Sequence, residues 1–325
     1  MSGIWGAEGD DRSVSPVVAT ILVVAITIVI ATAIGATVFG FTDRLGSTTV
    51  AAEDDQCVDS IEFDPADVSS FQDVSDLGCV IWLDASKEDY SSGDDVTKWT
   101  DRSPNGFDMT ESSESGVTPP SYAGQIEGVP AVEFQRADTE GLTTQINSSK
   151  TDIVSDTTLT VTALVHMQSG QSTVFQAGQP DGASTFDYFR FGYNDNSALG
   201  GSTTTPWFVF AGDAPAGYPI ITGHRPTRSD SLKQWMVVTH IHDGSEFTSY
   251  VNGQQRFNAE SKMNISDGVM QVGYELDENG ATGAYMDGYV SEIIIFEKSL
   301  NHDQRKGIEC ALDRKHGDAV KVKDC

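Results

Sequence analysis

Glu275 and Asp277 stand one residue apart in Glu275-Leu276-Asp277-Glu278. In an extended chain they share a face, and Glu278 points the other way. Two carboxylates flanking a glycosidic bond can hydrolyse it, one as acid and one as base or nucleophile. The next residues, Asn279-Gly280, read as a turn, so an acidic loop is the simpler reading. His240 and His242 also alternate, and an HxH pair can hold Zn²⁺. No third ligand is placed by the sequence; His166 or His224 would be a guess, and ordinary core or surface histidines are the expectation. Asp and Asn gather in the stretches 181–187, 194–196 and 277–279. Hard cations want several loop oxygens, which makes Ca²⁺ the one candidate cofactor, with its ligands unassigned. Tyr193, Trp207, Tyr218 and Tyr274 lie in Gly/Asn/Pro-rich stretches and are the candidates for ligand contact. Their alternative is packing as loop anchors. No Ser-His-Asp order, phosphate loop or Cys-x-x-Cys occurs. No catalytic residue is assigned, and the expectation is a binding protein, not an enzyme.

The elements that would hold these residues are strands. From Leu77 onward, short alternating runs are separated by Gly, Asn, Asp and Pro. Cys79 to Asp84 is one strand. Leu159 to His166 alternates, with Leu159, Val161, Ala163 and Val165 on one face. Trp235 to His242 repeats the pattern, and Phe247 to Val251 runs into Asn252-Gly253, a strong hairpin signal. Tyr289 to Phe296 is a late, very apolar strand. So many strands in one stretch imply a two-sheet sandwich. One helix closes the chain. Asn301 is its N-cap with Gln304 as capping-box partner, Ile308, Ala311 and Leu312 form the apolar stripe, and Gly317 ends it.

Ahead of the strands, Val17 to Phe41 carries no charged side chain. A helix of that length crosses a bilayer core of about 30 Å. It is too long for a secretory h-region, and neither a basic n-region nor a small-x-small cleavage site flanks it. Arg12-Ser13 followed by Val14-Ser-Pro-Val17 and the apolar run resembles the N-terminus of an archaeal type IV pilin with its class III signal peptide, over roughly residues 10 to 45. The resemblance implies cleavage by a prepilin peptidase between Ser13 and Val14. Ser13 stands where Gly or Ala is more usual. It also implies that the helix anchors the chain in membrane lipid and packs with other pilin subunits in a filament core. Gly35, Gly40 and the Ala/Thr/Val content suit close helix approach. A single-span anchor that never assembles is the alternative.

A second resemblance covers residues 77 to 317. Val80-Ile-Trp-Leu-Asp-Ala-Ser86, Trp99-Thr-Asp-Arg-Ser-Pro-Asn-Gly106 and Val129-Pro-Ala-Val-Glu-Phe134 look like the opening of a LamG-type domain. Tyr250-Val-Asn-Gly253, Gly288 to Phe296, and Leu300 with the helix through Gly317 fit its end. It implies a mainly β fold: a concanavalin A-like jelly-roll sandwich, with the short C-terminal helix at one end of the chain and the transmembrane pilin helix at the other. Members of that family often bind glycans or surface proteins, and some bind Ca²⁺. Glycoside hydrolases of the fold carry Glu-x-Asp-x-Glu, which the segment at Glu275 only approaches.

The chain has 325 residues, 48 Asp+Glu against 20 Lys+Arg, and a net charge of −28. Such a surface repels phosphate backbones, which excludes nucleic acid as a partner. The carboxylates are dispersed, as in proteins that work in concentrated salt, where screening blunts their repulsion. Cys57, Cys79, Cys310 and Cys325 all follow the apolar run. Cys310–Cys325 with Cys57–Cys79 is the preferred pairing, Cys57–Cys325 with Cys79–Cys310 remains open, and reduced, buried cysteines are the alternative. Asn147 and Asn264 head N-glycosylation sequons. The expected organisation is a signal peptide over 1–13, an apolar helix over 14–45, a stalk over 46–76 and a jelly roll over 77–325. The expected protein is a single-pass, membrane-anchored, pilin-like surface protein, a minor pilus subunit whose lectin-like domain adheres to surface glycans or proteins. A tethered lectin-like protein outside any filament, and a surface glycoside hydrolase, are its alternatives.

Overall fold

The computed structural model describes residues 77, 79–146, 151, 158–169, 172–178, 188–193, 207–211, 220–223, 233–260, 265, 268–276, 282–317 and 319–325. The chain divides into two units, residues 1–54 and 55–325, and every described residue belongs to the second. The expected cleavage point between Ser13 and Val14, the apolar run Val17 to Phe41 and both sequons, Asn147 and Asn264, lie outside the described residues. Among those described, no helix is long and apolar enough to cross a membrane.

Eighteen strands are present among the described residues. The first six are β1 (Cys79–Asp84), β2 (Lys98–Trp99), β3 (Met109–Glu111), β4 (Ser121–Ile126), β5 (Val129–Phe134) and β6 (Leu142–Ile146). The middle six are β7 (Thr158–Met167), β8 (Ser172–Gly178), β9 (Tyr188–Tyr193), β10 (Trp207–Ala211), β11 (Ile220–Gly223) and β12 (Trp235–Asp243). The last six are β13 (Glu246–Val251), β14 (Gln254–Glu260), β15 (Gly268–Val272), β16 (Glu275–Leu276), β17 (Thr282–Gly283) and β18 (Gly288–Phe296). They form two large antiparallel sheets and one short ladder. The first sheet runs β14-β13-β12-β7-β18-β5-β4. β5 pairs with the start of β18, and β1 takes the rest of the same edge, from Cys79↔Phe296 to Asp84↔Glu292. The second sheet runs β11-β10-β9-β8-β15-β6-β3-β2, and β16 pairs with β17.

One apolar core fills the space between the sheets, built from Val161, Val165, Val238 and Ile293 on the first and Phe175, Phe191 and Met270 on the second. A second core lies on the other side of the first sheet. There Trp82, Leu164, Val237 and Ile294 pack against Ile308 and Leu312 of α1 (His302–Lys315). β7, β12 and β18 are therefore buried on both faces. Leu159, Val161, Ala163 and Val165 do share the inner face, as the alternation requires, but Thr160, Thr162, Leu164 and His166 opposite them are buried too.

Helix α1 forms where its caps place it. The Asn301 side chain accepts from the Gln304 N–H at 3.0 Å, and Gln304 Oε1 accepts from the Asn301 N–H at 3.0 Å. Gly317 adopts φ +67°, a left-handed conformation that suits glycine, and its N–H reaches Arg314 O at 3.1 Å. The helix is bolted to the sheet by charge. Lys315 Nζ donates to Asp84 Oδ2 and to Glu292 Oε1, each at 2.7 Å, and His316 Nε2 meets Glu292 Oε1 at 2.7 Å. Trp82 Nε1 donates to the other Glu292 oxygen at 3.1 Å. Burial alone would raise the Glu292 pKa, but the His316 and Lys315 contacts outweigh it and hold the carboxyl below its usual range. After the helix, the Asp313 carboxylate accepts the backbone N–H groups of Val320, Lys321 and Val322 at 3.0–3.2 Å. A disulfide joins Cys310 to Cys325, with Cα atoms 5.3 Å apart. Cys79 is disulfide-bonded as well, and its partner lies outside the described residues, as does Cys57. The alternative pairing of Cys79 with Cys310 is thereby excluded.

Candidate ligand-binding face

The face of the second sheet turned away from the core carries a polar row. Phe189 and Phe191, Phe175 and Ala177, and Met270 and Val272 all point into the core. Alternation then puts Arg190, Gln176 and Gln271 on the opposite face. The register sets them side by side: Gln176 faces Arg190 on β9 and Gln271 on β15, and Gln271 faces Thr143 on β6. Thr110 on β3 faces Thr143 and continues the row. Exposure falls along it. Thr110 is exposed and Thr143 half-buried, whereas Gln271 and Gln176 are fully buried.

The buried end is partly satisfied from β16. Gln176 Nε2 donates to Leu276 O at 3.0 Å, and the Arg190 guanidinium pairs with the Glu275 carboxylate. Neither the oxygen nor the nitrogen of the Gln271 amide has a protein partner, and Gln176 Oε1 has none either. A buried polar atom left unpaired costs about 1–3 kcal/mol. Three such atoms on adjacent strands mark a place where oxygen or nitrogen of another molecule, water included, would be held.

Several residues singled out in the sequence sit elsewhere. Tyr274 is not a rim aromatic. It is buried, its hydroxyl lies 3.0 Å from Ser112 Oγ, and its ring stacks on Tyr285 at 6.2 Å between centroids. Gly141 lies so close that a Cβ there would meet Tyr274 Cδ1 at 2.2 Å. The Gly-rich surroundings that suggested an exposed loop instead make room for the ring. Tyr193 and Trp207 belong to strands, not loops, and face each other across β9 and β10. Tyr218 lies outside the described residues, as do Asp277, Glu278, His224 and the Asp/Asn stretches proposed for Ca²⁺.

His240 and His242 share the inner face of β12, against Phe191 and Phe247 respectively. His240 is fully buried with Nδ1 2.9 Å from Ser249 Oγ, and burial pushes its pKa down to about 3. It is a neutral core histidine. His166 lies on the opposite face of the first sheet, edge-on to Trp235 and Tyr289. Among the described residues, no three His, Cys, Asp or Glu side chains come together in a group that could hold a metal. Sequence reasoning missed Gln271 and Gln176, because a glutamine in an alternating strand looks like any solvated position. The signal would have been the register that buries both.

The sequence profile of Laminin_G_3, the concanavalin A-like lectin/glucanases superfamily, matches residues 138–304, about half of the chain. The chain belongs to that superfamily. The matched stretch holds the whole buried row from Gln176 to Glu275, while β1 to β5, which precede it, complete the two sheets of this concanavalin A-like domain. No curated protein matches in sequence. Among solved structures, it is similar to the Trypanosoma rangeli sialidase in complex with 2,3-difluoro-KDN. Identity there is 14%, the TM-score is 0.45, and the match covers 73% of this chain and 33% of that one. Domain 4 of AbnA, a GH43 extracellular arabinanase from Geobacillus stearothermophilus in complex with arabinotriose, matches at 13% identity and TM-score 0.44, over 70% of this chain and 96% of that one. The botulinum neurotoxin serotype D binding domain matches at 11% and 0.46, over 73% and 51%. The chain thus spans a third of the sialidase and half of the toxin domain.

Proposed function

We propose that this protein is a membrane-anchored, pilin-like surface protein whose concanavalin A-like domain binds saccharide outside the cell, as a minor subunit of a filament. The observation that carries the binding reading is the buried row on a face of a lectin-type sandwich in which the Gln271 amide and Gln176 Oε1 have no protein partner. Binding without hydrolysis is favoured because the Glu275 carboxylate, one of the two acids that could have served catalysis, is paired with Arg190. The detergent-solubilised full-length protein, assayed in high salt on a glycan array, should be retained by a subset of saccharides and should release no free sugar. Retention by none overturns the binding reading, and sugar release that is lost on Glu275→Gln replaces it with a hydrolase.

The anchor and filament reading rests on Arg12-Ser13 before the uncharged run Val17 to Phe41. Mass spectrometry of the membrane form, from cells with active prepilin peptidase, should show an N-terminus at Val14. An intact Met1 end there would leave a tethered protein that stays out of filaments.

A further inference from the structure

One amine on α1 lies between two buried carboxyl groups. Lys315 Nζ is 2.7 Å from Asp84 Oδ2 and 2.7 Å from Glu292 Oε1, and both acids are fully buried. The register sets Asp84 directly opposite Glu292 across β1 and β18, so the two acids reach the same nitrogen from adjacent strands.

Each group is held in the orientation that amide formation needs. Ser86 donates to the second oxygen of Asp84, Oδ1, from its backbone N–H at 2.8 Å and from its hydroxyl at 2.7 Å. Two donors there stabilise the negative charge that gathers on Oδ1 when the carboxyl carbon is attacked. Oδ2, which faces the amine, is the oxygen left to depart. Glu292 is fixed at both ends: Trp82 Nε1 donates to Oε2 at 3.1 Å, and His316 Nε2 lies 2.7 Å from the same Oε1 that meets Lys315. A carboxylate in contact with the amine, and facing the departing oxygen, can carry protons from one to the other. The Trp82 ring lies 5.6 Å from Nζ, and the lysine side chain is 27% exposed, which limits the approach of bulk water.

Burial lowers the Lys315 pKa, but the Glu292 and Asp84 carboxylates raise it more, so the resting pair is ionic. Condensing that pair removes two charges that a buried site disfavours. Contact between the partners also supplies the orientation that a reaction between free molecules lacks.

We propose that Lys315 and Asp84 condense to an intramolecular amide, with Glu292 relaying the protons. Glu292 takes one proton from the ammonium group and passes it to Asp84 Oδ2, which leaves a neutral amine beside a carboxylic acid. The Nζ lone pair attacks the Asp84 carboxyl carbon and forms the C–N bond, while the C=O electrons move onto Oδ1. As those electrons return, the C–Oδ2 bond breaks. Glu292 carries a second proton from nitrogen to the departing oxygen, which leaves as water. Glu292 ends as the carboxylate it began as. One ammonium and one carboxylate have given one amide and one water. The bond joins β1, the first described strand, to the last turn of α1 across a separation of 231 residues. Denaturant can then melt the sheets without parting those two ends.

The test is a tryptic map of the reduced full-length protein, purified from its own membranes. Lys315–Lys321 should appear joined to the peptide that ends at Lys87, lighter than the two together by one water, with no cleavage after Lys315. Asp84→Asn should give the same branch lighter by one ammonia, because the amide nitrogen then departs in place of Oδ2. Lys315→Arg keeps the charge and should show no branch. Glu292→Gln, followed after synthesis in a pulse-chase, should branch at least tenfold more slowly while keeping a cooperative melting transition. Ordinary cleavage after Lys315 in wild type overturns the proposal and leaves an ion pair. A branch that loses water in Asp84→Asn overturns it as well, since Lys315 is then bonded to another carboxyl. An undiminished rate in Glu292→Gln overturns the relay. None of these outcomes bears on saccharide binding.

Discussion

Glu140 is a carboxyl that the fold prefers to keep neutral. It is buried, and desolvation lifts its pKa to about 7 against the backbone N–H of Gln135, which donates to Oε2 at 2.6 Å. Asp138, Glu133 and Asp95 push the same way. A folded pKa above the unfolded one gives stability that is present below the unfolded value and is lost as pH rises through the folded value. The window for Glu140 is therefore 4.5 to about 7. Glu292 has the opposite sign: its folded pKa is depressed, so its contribution is present above 4.5 and is lost as pH falls below that. Glu140→Gln should flatten the fall in stability between pH 4.5 and 7, read as urea midpoints across that range. A slope identical to wild type would mean that another group titrates there.

At the scale of elements, α1 and the tail behind it are one bolted unit. The Cys310–Cys325 bond closes a 15-residue separation, for which the chain-entropy account gives about 3 kcal/mol. Asp313 holds three amides inside that loop. Cys325→Ser should cost up to about that amount in the melting transition. Asp313→Ala should instead raise hydrogen exchange at Val320 to Val322 while the sandwich strands stay protected. Exchange unchanged at those amides would show that the carboxylate does not hold the tail. Much of this unit was legible in the sequence. Asn301, Gln304, Ile308, Leu312 and Gly317 are local signals, each readable within one helical turn, and Asn252-Gly253 does turn with φ +50° and +75°. The strands at Cys79, Leu159, Trp235, Phe247 and Tyr289 were readable for the same reason. What was not legible depends on partners far along the chain. Glu292 looks like a solvated break in an apolar strand until Lys315, His316 and Trp82 arrive. Tyr274 looks exposed until Gly141 is seen beneath its ring, and Gln271 looks exposed until the register buries it.

Across the whole molecule, the −28 charge acts as a condition on stability. Dispersed carboxylates repel, and the Debye length falls from about 10 Å at 0.1 M salt to about 3 Å at 1 M. The melting temperature should rise steadily with NaCl over that range, and a flat or falling profile would remove the saline-adaptation reading. A different consequence comes from the pairing of β1 with β18. Cys79–Asp84 is the first described strand and Gly288–Phe296 the last, and β18 also lies between β7 and β5. During synthesis, the ribosome therefore releases almost the entire domain before the strand that closes the first sheet exists. Until then the seam along β7, β5 and β1 stays open, and the backbone groups destined for β18 have no strand to bond. The domain cannot complete itself piecemeal from its N-terminus as it is made. Its closure waits for β18, and the chain must be kept from sticking to its neighbours through that seam until that strand emerges.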